Sequence, residues 1–532
     1  MPSCLRATPA LLLFASVVVM AQSRQEQVDV AALNRIRDVA LNHSQVMDTV
    51  ASLTDVIGPR LTGSPGIRRA QAFARDRLRE WGLSNAHLEP WGPFGRGWSL
   101  EGFTANVISP SFSPLVAYPK AWSPGTKGAV RGDVVFLDVT TAADLDKYRG
   151  KIRGKIVLIS PARQLDPLFD PPAHRQSDDE LQALANAAPP GAPSPFQLTP
   201  EQRAANDLNT LKWLLARDEG AAVVLQPSFR DAGTVYVTSA TVPYATDVPS
   251  DRRLPPWDTS QPVVVPQAVV AAEQYNGIVR LLGRGIPVQL EVNIAVRFYD
   301  DDPMSANVIA EIPGTDLKNE VAMIGGSIDS WHAATGATDN AGGAAAAMEA
   351  VRIIQSLGLR PRRTIRVALW SAEEQGTLGS HAYVAAHFGR RVGTSSPPRF
   401  EFTPEYDAFA GYFNLDYGIG RIRGVYAQGN GAVTPIFNAW LTPLKDLGAS
   451  TVSLANIGAT DHMPFDEIGL PGFQFIRDYM EGTNTRAAHT NMDTLDHVIE
   501  GDLKQSAAVA ASFVYCLAMR DQKLPRKVTP AR

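Results

Sequence analysis

Six side chains in the last two-fifths of the chain have the types and placement that hydrolytic metal chemistry needs: Asp329, Asp339, Glu373, Glu374, Asp416 and His489. Each follows an apolar run or sits in a loop beside one. The run 321–324 leads through Gly325-Gly326-Ser327-Ile328 to Asp329, and Asp339 lies in Gly336-Ala337-Thr338-Asp339-Asn340-Ala341-Gly342-Gly343. Glu373 and Glu374 follow the run 364–370, Asp416 follows 411–415, and His489 lies in Ala488-His489-Thr490-Asn491-Met492-Asp493-Thr494. Carboxylates gathered at buried strand ends must be paired or bind a cation, because desolvating an uncompensated charge is costly. Zinc accepts Asp, Glu and His, and two zincs side by side can clamp a hydrolytic water. Singly, each residue has an ordinary reading: Asp339 as a helix N-cap, Glu374 as a surface acid, His489 as a loop histidine. Together, in this order, they point to a metal site.

The elements that must position them are legible from periodicity. Past the polar turn Tyr299-Asp300-Asp301-Asp302-Pro303, strands are expected over 307–311, 322–325, 364–370, 411–416, 424–427 and 473–477. Helices are expected over 341–355, 379–387, 435–447 and 502–519, the first closed by Leu357-Gly358-Leu359-Arg360-Pro361. Such alternation predicts an α/β fold, a mixed or parallel sheet covered by helices on both faces. In such a sheet ligands bind in loops at the carboxyl ends of the strands, where the six residues fall. Upstream, 31–81 reads as helical apart from a loop over 55–64. The stretch 105–108 reads as a short strand; from about 115 the character changes, and the runs 132–137 and 155–159, and then 220–225, 263–271 and 288–298, read as strands of a separate unit, with helices over 211–218 and 272–282. The Pro-, Ala-, Asp- and Gln-rich stretch 166–200 reads as an exposed loop excursion.

At 532 residues the chain exceeds one ordinary core. A net charge of −4 gives no electrostatic reason for nucleic acid or an anionic membrane as partner. Arg6, the apolar run 11–20 and Val19-Met20-Ala21 read as a secretory signal peptide cut after Ala21. The mature protein is therefore expected to be secreted or periplasmic and not membrane-bound. Only Cys516 then remains, which excludes an intramolecular disulfide and a cysteine metal cluster.

The motifs Gly-Gly-x-Ile-Asp-Ser-Trp, Gly-Ala-Thr-Asp-Asn, Trp-Ser-Ala-Glu-Glu-Gln-Gly, Asn-Leu-Asp, Thr-Asp-His-x-x-Phe, Gly-Leu-Pro-Gly-Phe-Gln-Phe and His-Thr-Asn-Met-Asp-Thr resemble the M28 family of zinc peptidases. Within it they are similar to the carboxypeptidase Q-like secreted members. The resemblance extends to Ile-Gly-Pro-Arg-Leu-Thr-Gly-Ser near the N-terminus and to a middle region similar to a β-rich protease-associated (PA) insertion. It implies a signal peptide over 1–21, a first part of the peptidase domain over 22–114, the insertion over 115–300 and the catalytic domain over 301–525. It implies a secreted exopeptidase acting on dipeptides or short peptides at a free terminus, and it admits a homodimer. Asp339 is then the bridging ligand of two zincs, Glu374 and His489 complete one metal, and Asp416 belongs to the other. Glu373 is the general base for the attacking water, and Asp329 orients a histidine two residues before it. His462 and Tyr479 are candidate substrate contacts.

The position of that histidine is Ser327, a departure from the family pattern. A neutral hydroxyl is a poor zinc ligand beside imidazole or carboxylate. One zinc is therefore expected to be held by Asp339, Glu374 and His489, with the other site weakened unless His332 swings in. Two alternatives remain open. One is a mono-zinc enzyme similar to glutaminyl cyclases, the other a weakened peptidase homologue serving as a binding module.

Overall fold

The computed structural model describes residues 26–167, 169, 173–191, 197–393, 398–478 and 487–527. The expected signal peptide and Tyr479 lie outside the described residues. Eight strands form the sheet that carries the site: β1 (Ser84–Trp91), β2 (Ser305–Ile312), β3 (Leu317–Ser327), β4 (Arg363–Trp370), β5 (Phe409–Asn414), β6 (Ile422–Tyr426), β7 (Thr451–Ser453) and β8 (Gly472–Arg477). Their order is β1-β2-β4-β3-β5-β8-β6-β7. The central four, β4-β3-β5-β8, run parallel, and β1, β2 and β6 join antiparallel.

Parallel strands covered on both faces read as unbroken apolar runs, and this sheet explains those in the sequence. Ala322 and Ile324 of β3 face a core shared with α1 (Gly342–Ser356) and α3 (Glu500–Met519), whereas Met323 faces one shared with Tyr383 and Val384 of α2 (Leu378–His387). The small residues Ala344 to Ala347 at the start of α1 are fully buried. Gly325 is required where β3 presses on β4, since a Cβ there would lie 2.0 Å from the Ala368 carbonyl oxygen.

A second eight-stranded sheet runs in the order Ser113–Pro114, Gly97–Ser109, Gln289–Tyr299, Val130–Phe136, Ile156–Leu158, Val223–Pro227, Gln267–Val270, Ala117–Pro119. Helix Pro200–Asp218 packs on one face through Trp213 and Leu215, and helix Ala272–Gly283 on the other through Tyr275 and Ile278. Strand Gly97–Ser109 pairs along its length with Gln289–Tyr299, so this sheet takes in residues that precede 115. Composition shifts at 115, but the pairing partner that defines the strand lies almost two hundred residues away.

The stretch 166–200 also differs from the loop expected. It contains the helix Asp178–Ala185, opened by a capping box between Ser177 and Glu180. It is fastened to the first unit: Arg175 Nη1 donates to Asp478 Oδ2 and Asp502 Oδ2, both at 2.8 Å, and Gln176 Nε2 donates to the Arg477 carbonyl at 2.8 Å. A cluster of Phe94, Trp98, Trp122 and Trp331 also joins the two units, and Trp122 lies 5.0 Å from Trp257 between ring centroids. Among the described residues no helix is long and apolar enough to cross a membrane.

Candidate active site

The ends of β3, β4 and β5 deliver the acidic residues to one place. Trp370 closes β4 opposite Ser327 of β3, so the loops carrying Asp329 and Glu373 leave the sheet side by side. Asn414 closes β5 next to Gly325, and Asp416 follows two residues later.

Three donors converge. His489 Nε2 lies 3.0 Å from Asp339 Oδ2 and 2.9 Å from Glu374 Oε2. One ligand atom from each of Asp339, Glu374 and His489 lies within 4.8 Å of the others, a set compatible with one divalent ion. The chemistry of the set fits zinc: two carboxylates and an imidazole nitrogen are three protein ligands that leave a fourth position open. The electrostatics fit as well. Burial, and after it the charges of Asp339 and Asp329, push Glu374 up to about 8 against the pull of His489. Burial alone would lower the His489 imidazole, but Glu374 and Asp339 outweigh it and hold the ring well above its usual range.

Asp329 does not join this trio; it holds the loop that presents the glutamates. Its Oδ1 accepts from the Glu373 amide at 3.2 Å, and its Oδ2 from the Glu374 amide at 3.4 Å and the Thr62 hydroxyl at 3.1 Å. Thr62 Oγ1 also accepts from the Ala372 amide at 3.0 Å. Burial raises Asp329 to about 7. Asp416 also stands apart from the trio. Its Oδ1 accepts from the Tyr417 amide at 2.7 Å and its Oδ2 from the Thr460 hydroxyl. Burial, then Asp339, raises it to about 6.

Glu373 is half-buried beside the trio, and among the described residues its carboxylate makes no hydrogen bond to another group. Burial, then the charges of Asp416 and Asp461, push it well above the ordinary carboxyl range. The backbone is strained here in the left-handed region, which non-glycine residues seldom occupy. Ala372 before Glu373 has φ 55°, Tyr417 after Asp416 has φ 63°, and His489 itself has φ 60°.

Ser327 is buried at the end of β3, and its Oγ accepts from Asn340 Nδ2 at 3.0 Å. The same Nδ2 donates to the Leu415 carbonyl at 2.9 Å. The serine thus ties β3 to the residue after Asp339.

Two other histidines named from the sequence take separate places. His332 does not reach the trio. Its ring is buried edge-on to Trp98, with centroids 5.0 Å apart, and Nε2 meets the Pro119 carbonyl at 2.7 Å. Burial holds it down at about 4. His462 is fully buried, with Nε2 3.0 Å from the Ile457 carbonyl and against Gln428. Its imidazole too is pushed down to about 4 by burial.

Four supporting residues had no role assigned from sequence. Arg60, fully buried, donates to the carbonyls of Ile328 at 2.7 Å, Thr335 at 2.6 Å and Gly336 at 2.7 Å, clamping the loop between Asp329 and Asp339. Gly336 must be glycine there: its φ is 62°, and a Cβ would lie 2.3 Å from Ser330 Cβ. Asp493 accepts from the amides of Thr338 at 2.5 Å and Asp339 at 3.2 Å, and burial raises it to about 7. Asp461 Oδ1 accepts from Ser380 Oγ at 2.6 Å while its buried Oδ2 has no partner among the described residues. Tyr236, from the second unit, places its hydroxyl 2.9 Å from His489 Nδ1. Arg60, Asp461 and Asp493 all lie inside motifs visible in the sequence; nothing local marks Tyr236.

Comparison with known proteins follows the same lines. Residues 307–514 match the model of peptidase family M28. Carboxypeptidase Q from Pongo abelii is 26% identical over 482 residues, which cover 90% of this chain and 86% of that protein. A crystal structure of a peptidase M28 precursor from Shewanella amazonensis is similar with a TM-score of 0.64 and 23% identity, over 94% of this chain and 99% of that one. A zinc aminopeptidase from Bacillus subtilis is similar with a TM-score of 0.55 and 19% identity, over 90% of this chain and 96% of that one.

Proposed function

We propose that this chain, whose residues 307–514 match the model of peptidase family M28, is an exported zinc-dependent exopeptidase of that family that hydrolyses dipeptides or short peptides at a free terminus. The observation that carries this reading is the convergence of Asp339, Glu374 and His489 beside a carboxylate, Glu373, that is not one of them. Asp339, Glu374 and His489 would hold the zinc. When bound there, zinc supplies a Lewis acid that polarises the scissile carbonyl and lowers the pKa of water toward neutrality.

The chain's own residues do the rest. Glu373 takes the proton of the attacking water and returns it to the leaving amine, a double duty suited to a carboxyl whose pKa lies above its usual range. Asp329 and Thr62 fix the backbone that aims Glu373 and Glu374. With Ser327 bound to Asn340, the position on the Asp416 side lacks an imidazole, and the Asp416 carboxylate there favours a protonated terminal amine.

A panel of free and N-acetylated dipeptides, assayed after chelation and zinc restoration, tests the reading. Free dipeptides should be hydrolysed, and N-acetylation should lower kcat/KM about 100-fold, or about 3 kcal/mol, the cost of leaving a buried charge unpaired. Equal turnover of both would overturn recognition of a free amine. Cyclisation of N-terminal glutamine without hydrolysis would favour a cyclase, and no turnover of any substrate a binding module.

A further inference from the structure

The second unit contributes a side chain to the metal centre. Its segment 235–237 lies along the loop that carries His489, and the two are joined in register. Val237 N donates to the His489 carbonyl at 3.0 Å, and Asn491 N to the Val235 carbonyl at 3.3 Å. Asn491 Oδ1 accepts from Val235 N at 2.7 Å, and Tyr236 and Thr490 form an antiparallel bridge. These bonds hold His489 at φ 60°, a conformation that a loop would not retain unaided.

From the middle of that segment the Tyr236 hydroxyl reaches His489 Nδ1 at 2.9 Å, and the two rings lie 5.3 Å apart between centroids. The opposite nitrogen, Nε2, faces Asp339 and Glu374. A histidine that offers Nε2 to a cation carries its proton on Nδ1, so the phenol oxygen is the acceptor of that N–H. Phe229 packs on the Tyr236 ring with centroids 4.1 Å apart and restricts where the hydroxyl can go.

We propose that Tyr236 is a positioning residue of the zinc site: it fixes the tautomer and rotation of His489, so that the second unit completes the metal centre rather than merely lying beside it. The inference rests on the reading of Asp339, Glu374 and His489 as zinc ligands. Partners of a ligating histidine's far nitrogen set ligand orientation and basicity, and removing one weakens metal binding roughly 10- to 100-fold.

The test is a zinc titration of metal-stripped protein against a chromophoric chelator, with no peptide present. Tyr236→Phe keeps the ring and its packing and removes only the acceptor. It should bind zinc roughly 10- to 100-fold more weakly than the parent, and the visible band of its cobalt(II) form should shift. At saturating zinc kcat should fall while KM holds. Asn491→Ala, which leaves the phenol and frees its segment, should lose affinity in the same direction by a smaller factor. It decides the matter should Tyr236→Phe fold poorly. Equal zinc affinity and an unmoved cobalt band in the variants would overturn the inference while leaving the ligand assignment standing. A parent protein that binds no zinc would overturn both.

Discussion

Glu373→Gln is expected to lose about 10³-fold in kcat while binding zinc as the parent does. The amide is nearly isosteric with the carboxylate and the Glu373 main-chain bond to Asp329 is untouched, so the loop should keep its place. What disappears is the ability to take and return a proton. The trio of Asp339, Glu374 and His489 is separate from Glu373, which makes the two losses separable. Glu374→Gln should instead lose zinc and activity together. Steady-state kinetics with metal analysis on both variants checks this. A Glu373→Gln enzyme within about tenfold of the parent would remove Glu373 from proton transfer.

The second large effect is on the stability of the metal-stripped protein. Burial, the leading cause in each case, raises Glu374 to about 8, Asp329 and Asp493 to about 7 and Asp416 to about 6. A carboxyl whose folded pKa lies above its unfolded value stabilises the fold while protonated. That contribution is complete below the unfolded pKa, near pH 4, and is lost as pH rises through 6 to 8. His489, also raised, acts in the same direction: its share is present below its unfolded pKa and is lost as pH rises through the folded one. The metal-stripped protein should therefore lose a few kcal/mol between about pH 5 and pH 8, seen as a fall of several degrees in Tm. Zinc supplies the missing positive charge, so it should raise Tm more at pH 8 than at pH 5. Thermal melts in chelator and in zinc at both pH values read this directly. A metal-stripped Tm that is equal or higher at pH 8 would contradict it.

Much of the catalytic sheet was legible because parallel strands buried on both faces leave continuous apolar runs, and chemistry gathers at their carboxyl ends. The runs at 321–324 and 364–370 therefore located Asp329, Glu373 and Glu374 without any structure. What was not legible depends on contacts distant in sequence. Tyr236 is 253 residues from His489, and its hydroxyl counts only because the two segments pair. Strand Gly97–Ser109 belongs to the second sheet only through its partner Gln289–Tyr299. Histidines are a further case. His332 and His462 have the residue type of a ligand or a substrate contact, and only the structure shows their contacts with the Pro119 and Ile457 carbonyls. Ser327 was visible as a departure from the family pattern. Its bond to Asn340 supplies what the serine does instead.

Zinc counting tests the central claim, a single complete site formed by Asp339, Glu374 and His489. After zinc loading and exhaustive dialysis, elemental analysis should find about one zinc per chain in the parent and almost none in His489→Ala, with Ser327→His raising the parent value toward two. Two tightly held zincs in the parent, or one that survives His489→Ala, would contradict it.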